Sequence, residues 1–194
     1  MLKTIKKEIR ILGIDDAPFD KFKDKKVLVV ATVFRGGDYL DGLLSCHVRV
    51  DGNDATKKLI DIVKKTRHLE QLGCIMLDGI ALGGFNVIDI NKLSRKTNLP
   101  VIVMMRKFPD FQKIENALKK IKQQKKIALM KKAGKIHELS IKNRKIYCQI
   151  AGINSELAGK IIKTSVTRAL IPEPLRAAHI IASGIALGES HGHA

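Results

Sequence analysis

The sequence predicts an α/β protein built on one mixed sheet of five strands, three antiparallel strands followed by parallel ones, with flanking helices. Three observations predict it. Two apolar runs, residues 9–16 and 74–78, end in aspartate, as buried strands do when they deliver a carboxylate to the edge of a sheet. Three β-branched runs joined by short connections fill the first 50 residues, the pattern of an antiparallel meander. From residue 51 to residue 106 the hydrophobic period alternates between helix and strand, which implies parallel pairing through crossovers.

The first strand is Ile9-Arg10-Ile11-Leu12-Gly13-Ile14-Asp15-Asp16, stopped by Pro18, because proline lacks the donor that strand pairing needs. Residues 25–35 form the second, bounded by Gly36-Gly37, and residues 39–50 the third, in which His47 reads as a residue filling a sheet face. The turn cluster Asp51-Gly52-Asn53-Asp54 then starts a helix, with Asn53 or Asp54 as its cap, that runs to about Gln71 and is closed by Gly73. Residues 74–78 are the next strand, and Gly79 lets the chain turn away from Asp78. An aspartate there can simply shape the turn; it becomes a site residue once a second strand of the same design is present.

A helix over about residues 87–96 and a fifth strand over 100–106 follow. Residues 110–135 are a lysine-rich helix whose charges read as a solvated face. Residues 145–151 are a short strand, Ser155 caps the next helix, and Ile171-Pro172-Glu173-Pro174 opens a terminal helix carrying His179, since proline is tolerated in a first turn. The polar tail holds His191 and His193, which are expected to be too mobile for a metal site.

A chain of 194 residues supports one good core, so a single domain over residues 1–194 is expected. It has no run of eighteen uncharged residues, hence no spanning helix or membrane partner, and its charged start lacks the features of a secretory leader. Cys46, Cys74 and Cys148 are an odd number without zinc-site spacing and read as reduced thiols of a cytoplasmic protein. The balance of 36 Lys and Arg against 19 Asp and Glu leaves +17, which favours a polyanionic partner, nucleic acid first; general lysine enrichment of a thermophile is the blander source of such charge. Phosphate-cradling loops and a nucleophilic serine elbow are both missing. Carboxylates at strand ends on a basic chain point instead to a metal-dependent nuclease.

The runs Ile11-Leu12-Gly13-Ile14-Asp15 and Ile75-Met76-Leu77-Asp78-Gly79, together with Pro172-Glu173-Pro174-Leu175-Arg176-Ala177-Ala178-His179, resemble those of endonuclease V and, more closely, of the basic archaeal family called endonuclease dU. The resemblance implies an RNase H-like fold, cleavage of DNA at deaminated bases, most of all deoxyuridine, and a Mg²⁺ or Mn²⁺ cofactor. Asp15 and Asp78 match the strand-ending aspartates of endonuclease V, Arg106 stands where that relative carries lysine, and His179 stands where it has aspartate or histidine. No glutamate stands after the third strand; Asp51 and Asp54 are the candidates to replace it, Asp54 being preferred because it directly precedes the helix. Leu82-Gly83-Gly84-Phe85 replaces the relative's histidine-proline-arginine segment, and its DNA wedge has no counterpart here.

The expected site is therefore Asp15, Asp54, Asp78 and His179 for catalysis, Asp15, Asp78 and Asp51 for metal, and Arg106 and Arg176 for DNA. A non-catalytic nucleic-acid-binding module of the same fold, or a carboxylate-metal hydrolase of a small phosphorylated substrate, are the alternatives.

Overall fold

Helices cover both faces of the sheet at β1 (Arg10–Asp16), so Ile11, Leu12 and Ile14 are all fully buried there and the strand reads as a continuous apolar run. The computed structural model describes residues 5–190. His191 and His193 lie outside the described residues. β2 (Lys26–Arg35) pairs antiparallel with β1, Gly13 opposite Thr32, and β3 (Tyr39–Arg49) pairs antiparallel with β2 as the sheet edge. Helix α1 (Ala55–Lys65) returns the chain to β4 (Leu72–Asp78), which lies parallel to β1 on its other side.

A two-residue ribbon, β5 (Ala81–Leu82) and β6 (Asn86–Val87), turns through Gly83 and Gly84, both in the left-handed region. Helix α2 (Ile90–Thr97) then leads to β7 (Val101–Met105), parallel to β4. Helices α3 (Phe111–Lys120) and α4 (Lys125–Lys132) precede β8 (His137–Ile141) and β9 (Arg144–Ala151). The chain closes with α5 (Ser155–Ser165) and α6 (Glu173–Leu187). The sheet order is β3-β2-β1-β4-β7-β9-β8: the five expected strands lie side by side, and an antiparallel hairpin of β9 and β8 extends the sheet beyond β7. Side chains of α1 and α2 pack on one face and those of α5 and α6 on the other. Among the described residues no helix is long and apolar enough to cross a membrane.

Several helix limits differ from the sequence reading, each for a local reason. α1 stops at Lys65 because Thr66 turns extended (ψ 141°) and its hydroxyl accepts from the His68 N–H at 3.2 Å; only a short 3-10 turn, Leu69–Gln71, follows. α2 begins three residues late, after the β5–β6 ribbon, where the Asp89 carboxylate accepts from the Lys92 N–H at 2.8 Å. The cap of α5 is Asn154 and not Ser155, its side chain accepting from the Leu157 N–H at 2.8 Å.

The single lysine-rich helix is two, broken where Lys122 adopts a left-handed backbone (φ 55°). That break turns Lys126 inward. Its ammonium donates to the carbonyls of Asp51 at 2.8 Å, Gly52 at 2.6 Å and Phe85 at 2.6 Å, so one lysine of the run is buried and bolts α4 to the β3–α1 turn. Burial lowers its pKa, with Asp51 acting in the opposite direction. Lys126→Met should cost about 1–3 kcal/mol in urea unfolding because three carbonyls lose their donor. The same change at exposed Lys125 should leave stability unaltered, and equal effects at the two positions would refute the bolt.

Candidate functional site

Across the parallel pair Ile14 stands opposite Leu77, so the next residues, Asp15 and Asp78, reach the carboxyl ends of β1 and β4 side by side. Leu12, Ile14, Ile75 and Leu77 join the core beneath α1 and α2, whereas Ile11, Cys74 and Met76 join the core beneath α5 and α6. Side chains alternate along a strand, so Asp15 and Asp78 both fall on the α6 face. This is the edge of an open α/β sheet where sites are built.

Helix α6 completes the site from above. A Cβ on Gly13 would lie 2.4 Å from the main-chain carbon of Pro174, so Pro174 rests directly on the β1 backbone. The Thr32 hydroxyl donates to the Pro174 carbonyl at 2.7 Å and fixes the same seat from β2. From there Leu175, Ala178 and Ala182 are buried along the helix. His179 consequently arrives with Nδ1 2.8 Å from Oδ2 of Asp15. Glu173, buried at the helix start, accepts from the Thr167 hydroxyl at 2.6 Å and from Arg176 Nε at 2.7 Å. Burial pushes the Glu173 carboxyl up, but those hydrogen bonds outweigh it and hold the group below its ordinary range. Arg176 thereby braces the start of α6.

Asp15, Asp16, Phe19, Asp78, Arg106 and His179 line an open concavity of about 470 Å³. Burial, then the charges of Asp78 and Asp16, push Asp15 up to about 7. Asp78 is raised by burial in spite of Arg106, whose Nη2 lies 3.8 Å from Oδ2, and of His179. Asp16 is raised by burial against the hydrogen bond that its Oδ2 accepts from the Gly83 N–H at 2.8 Å. Three carboxylates are thus held where their anionic forms are costly, which a cation would offset. Nε2 of His179 is buried and, among the described residues, has no hydrogen-bond partner.

Hard carboxylate oxygens fit Mg²⁺ or Mn²⁺, and Mg²⁺ characteristically takes one or two carboxylates while water and substrate phosphate fill its other positions. Among the described residues no three His, Cys, Asp or Glu side chains form a closed metal cluster. Asp15 and Asp78 are the pair that could hold such an ion.

The structure brings together Asp15, Asp78, His179 and Arg106, and does not bring Asp51, Asp54 or Arg176 into that concavity. Asp51 sits in the left-handed region (φ 49°), accepts from the Phe85 N–H at 2.8 Å and lies 3.4 Å from Lys21 Nζ. Asp54 accepts from the Arg49 N–H at 3.1 Å and from Asn86 Nδ2 at 2.6 Å, and Asn86 in turn accepts from the Ala55 N–H at 3.0 Å. Both carboxylates therefore brace the turn between β3 and α1. Asp16 is the site residue that sequence reasoning passed over; its one legible trait was adjacency to Asp15, since alternation alone sends it to the opposite face.

A family model described as Endonuclease dU matches residues 7–186. A UPF0215 protein of Methanothermobacter thermautotrophicus is 54% identical over 99% of this chain and 95% of its own length. Another, from Pyrococcus furiosus, is 44% identical over 98% of each. A solved protein of unknown function from Archaeoglobus fulgidus is 41% identical, with a TM-score of 0.82, covering 91% of this chain and 98% of that one. Human ENDOV shares the fold at 19% identity and a TM-score of 0.59, covering 90% of this chain and 82% of that one. Ciona intestinalis endonuclease V, solved with a DNA containing an inosine, does so at 14% identity and 0.57, covering 88% and 82%. The sheet is thus that of endonuclease V, RNase H-like, and the chain belongs to the endonuclease dU family.

Proposed function

We propose that this chain is a divalent-metal-dependent endodeoxyribonuclease of the cytoplasm that cuts DNA at deaminated bases, deoxyuridine foremost, as a step of DNA repair. The observation that carries the reading is the pair Asp15 and Asp78 on adjacent parallel strand ends, with His179 held against Asp15 by α6. Membership of the endonuclease dU family and the fold shared with a DNA-bound endonuclease V support it. A Mg²⁺ or Mn²⁺ held by Asp15 and Asp78 would supply an activated water and positive charge on the scissile phosphate. His179 faces that end of the site through Nδ1, 2.8 Å from Asp15 Oδ2, and would give or take a proton there. Arg106 in the concavity, joined by Arg144 and Lys145 of the adjoining cleft and by Arg176 at the start of α6, would hold the phosphate backbone.

Incubating purified protein and Mg²⁺ with labelled duplexes containing uracil, hypoxanthine or only normal bases tests the proposal. Nicking of the uracil duplex, abolished by EDTA, is expected. No nicking of any duplex, with hydrolysis of a small phosphorylated substrate instead, would replace it. Duplex affinity should fall with added salt at a log–log slope steeper than about −3, because a net charge of +17 favours several phosphate contacts. A flat response argues for a small-molecule site. His179→Ala should lower cleavage about 100-fold or more while leaving duplex affinity and melting temperature nearly unchanged. Cleavage at the wild-type rate under saturating Mg²⁺ removes the histidine from the chemistry.

A further inference from the structure

We infer that β3 pairs antiparallel with the β3 of a second copy of this chain, joining two sheets into one across a two-fold axis at Ser45. β3 is the edge of the sheet, and two hydrogen bonds fix which of its backbone groups face outward. The Val50 N–H donates to the Lys25 carbonyl at 3.1 Å, which turns Val50, and by alternation Val48, Cys46 and Leu44, toward β2. The Arg49 N–H donates the other way, to Asp54 Oδ1 at 3.1 Å. Leu43, Ser45 and His47 share that outward direction, and among the described residues their N–H and C=O groups meet no partner there. The side chains are open as well. Leu44 and Cys46 pack on the core beneath α1 and α2, so Leu43, Ser45 and His47 lie on the α6 face. Helix α6 lies over β1 and β2, which leaves Leu43 52% exposed with Ser45 and His47 exposed beside it.

A second copy is the partner that this edge fits. Exposed edges are ordinarily guarded by lysine, by proline or by being short. The opposite edge follows the rule, since β8 has five residues and lies between Lys135 and Lys142. β3 has eleven, and from Gly36 to Val48 the chain holds no Lys, Arg or Pro, in a sequence with 36 Lys and Arg. Asp38 and Asp41 are the charges of that stretch, so a polyanion finds nothing to bind, and two chains of +17 can approach where their excess charge is not displayed. The register follows from the ladder. A bulge between Val33 and Phe34 disturbs it before Gly42, and at the other end the Arg49 carbonyl is taken by Asn86 Nδ2 at 2.9 Å. A two-fold axis at Ser45 uses every outward residue in between: Leu43 faces His47 of the second copy, and Ser45 faces its own counterpart, giving about six backbone hydrogen bonds. Such a contact is self-complementary and closes at two copies. β3 runs parallel to β1, because both are antiparallel to β2, so the strand ends bearing Asp15 point to opposite edges of the joined sheet. Both carboxylate sites stay open, each to its own duplex.

Sedimentation equilibrium of the full chain should give twice 21.5 kDa, with association that strengthens as NaCl is raised, because salt screens the repulsion between like-charged copies. Duplex binding should respond to salt in the opposite sense, so the two equilibria are separable whether or not the chain cuts DNA. Ser45→Pro should give the monomer: the Ser45 N–H points away from β2, so the ring spares the β2–β3 ladder and blocks the second strand. Leu43→Lys, which restores the usual guard of an edge, should do the same without a backbone change. Cross-linking reads the register in a Cys46→Ser background. The two Ser45 Cα atoms would lie about 5.5 Å apart, within disulfide reach, and the two His47 Cα atoms more than about 13 Å apart. Under mild oxidation Ser45→Cys should form a linked dimer and His47→Cys should not. The mass of one chain at every salt level up to molar NaCl, or a dimer that persists in folded Leu43→Lys and Ser45→Pro, overturns the pairing. Equal cross-linking at positions 45 and 47 overturns the two-fold at Ser45.

Discussion

Asp15→Asn is expected to lower metal-dependent cleavage on the order of 10³-fold and yet to raise the thermal stability of the metal-free protein at pH 8. The loss follows from removing a charged oxygen at the end of β1, beside Asp78, where the proposed ion would sit. The gain follows from linkage. Asp15 has its folded pKa raised from 3.8 to about 7, first by burial and then by Asp78 and Asp16. Between those two values the folded protein keeps a proton that the unfolded chain has released, so stability falls as pH rises through the interval and the full cost is present above it. Asparagine carries no charge to desolvate and can still meet His179.

The melting temperature at pH 8 should therefore rise by about 2–6 °C, whereas at pH 4 the difference should largely vanish. A variant less stable than wild type at pH 8 without metal would show that the carboxylate is not held at a cost. Added Mn²⁺ should raise the melting temperature of wild type and leave that of Asp15→Asn nearly unchanged. Stability and activity thus trade against each other at a residue placed for chemistry.

Gly13→Ala should damage both. Gly13 is flanked in β1 by the bulky apolar Ile11, Leu12 and Ile14, and glycine in a strand interior weakens it, so the residue needs a reason. The reason is Pro174, whose main-chain carbon and oxygen would lie 2.4 and 2.6 Å from a new Cβ. Backbone cannot swing aside as a flexible side-chain tip can, so α6 must lift from the sheet. Overpacking of this kind costs about 1–3 kcal/mol and occasionally more. The lift also moves His179 relative to Asp15, since both depend on where α6 is seated. Cleavage by Gly13→Ala should fall about as far as in His179→Ala, accompanied by a lower melting temperature that the histidine variant does not show. Wild-type stability in Gly13→Ala would mean that the helix is not seated on the strand as described.

What the chain determined by itself is whatever depends on local pattern. Strand ends at Asp15 and Asp78, the meander of the first 50 residues, the alternation that follows and the proline-led helix start were legible, because each is written in neighbouring residues through period, turn chemistry and capping. The motif resemblance added His179 and Arg106, which periodicity alone leaves as an ordinary helix residue and an ordinary strand-end cation.

What only the tertiary structure decided depends on residues far apart in sequence. Asp51 and Asp54 were the candidates to replace the glutamate, yet their oxygens are taken by the Phe85 N–H and by Asn86, 34 and 32 residues away, partners that no spacing rule links to them in advance. Asp16 had no assigned role until Gly83, 67 residues away, tied its carboxylate beside the site. Lys126 looked like one more solvated charge until three carbonyls from two distant turns closed on it. The β9–β8 hairpin widened the sheet and supplied Ile146, Arg144 and Lys145 to the cleft beside Asp78. A buried polar group is satisfied by whichever partner the packed chain brings within about 3 Å, and that choice is made by long-range packing rather than by the order of residues along the strand.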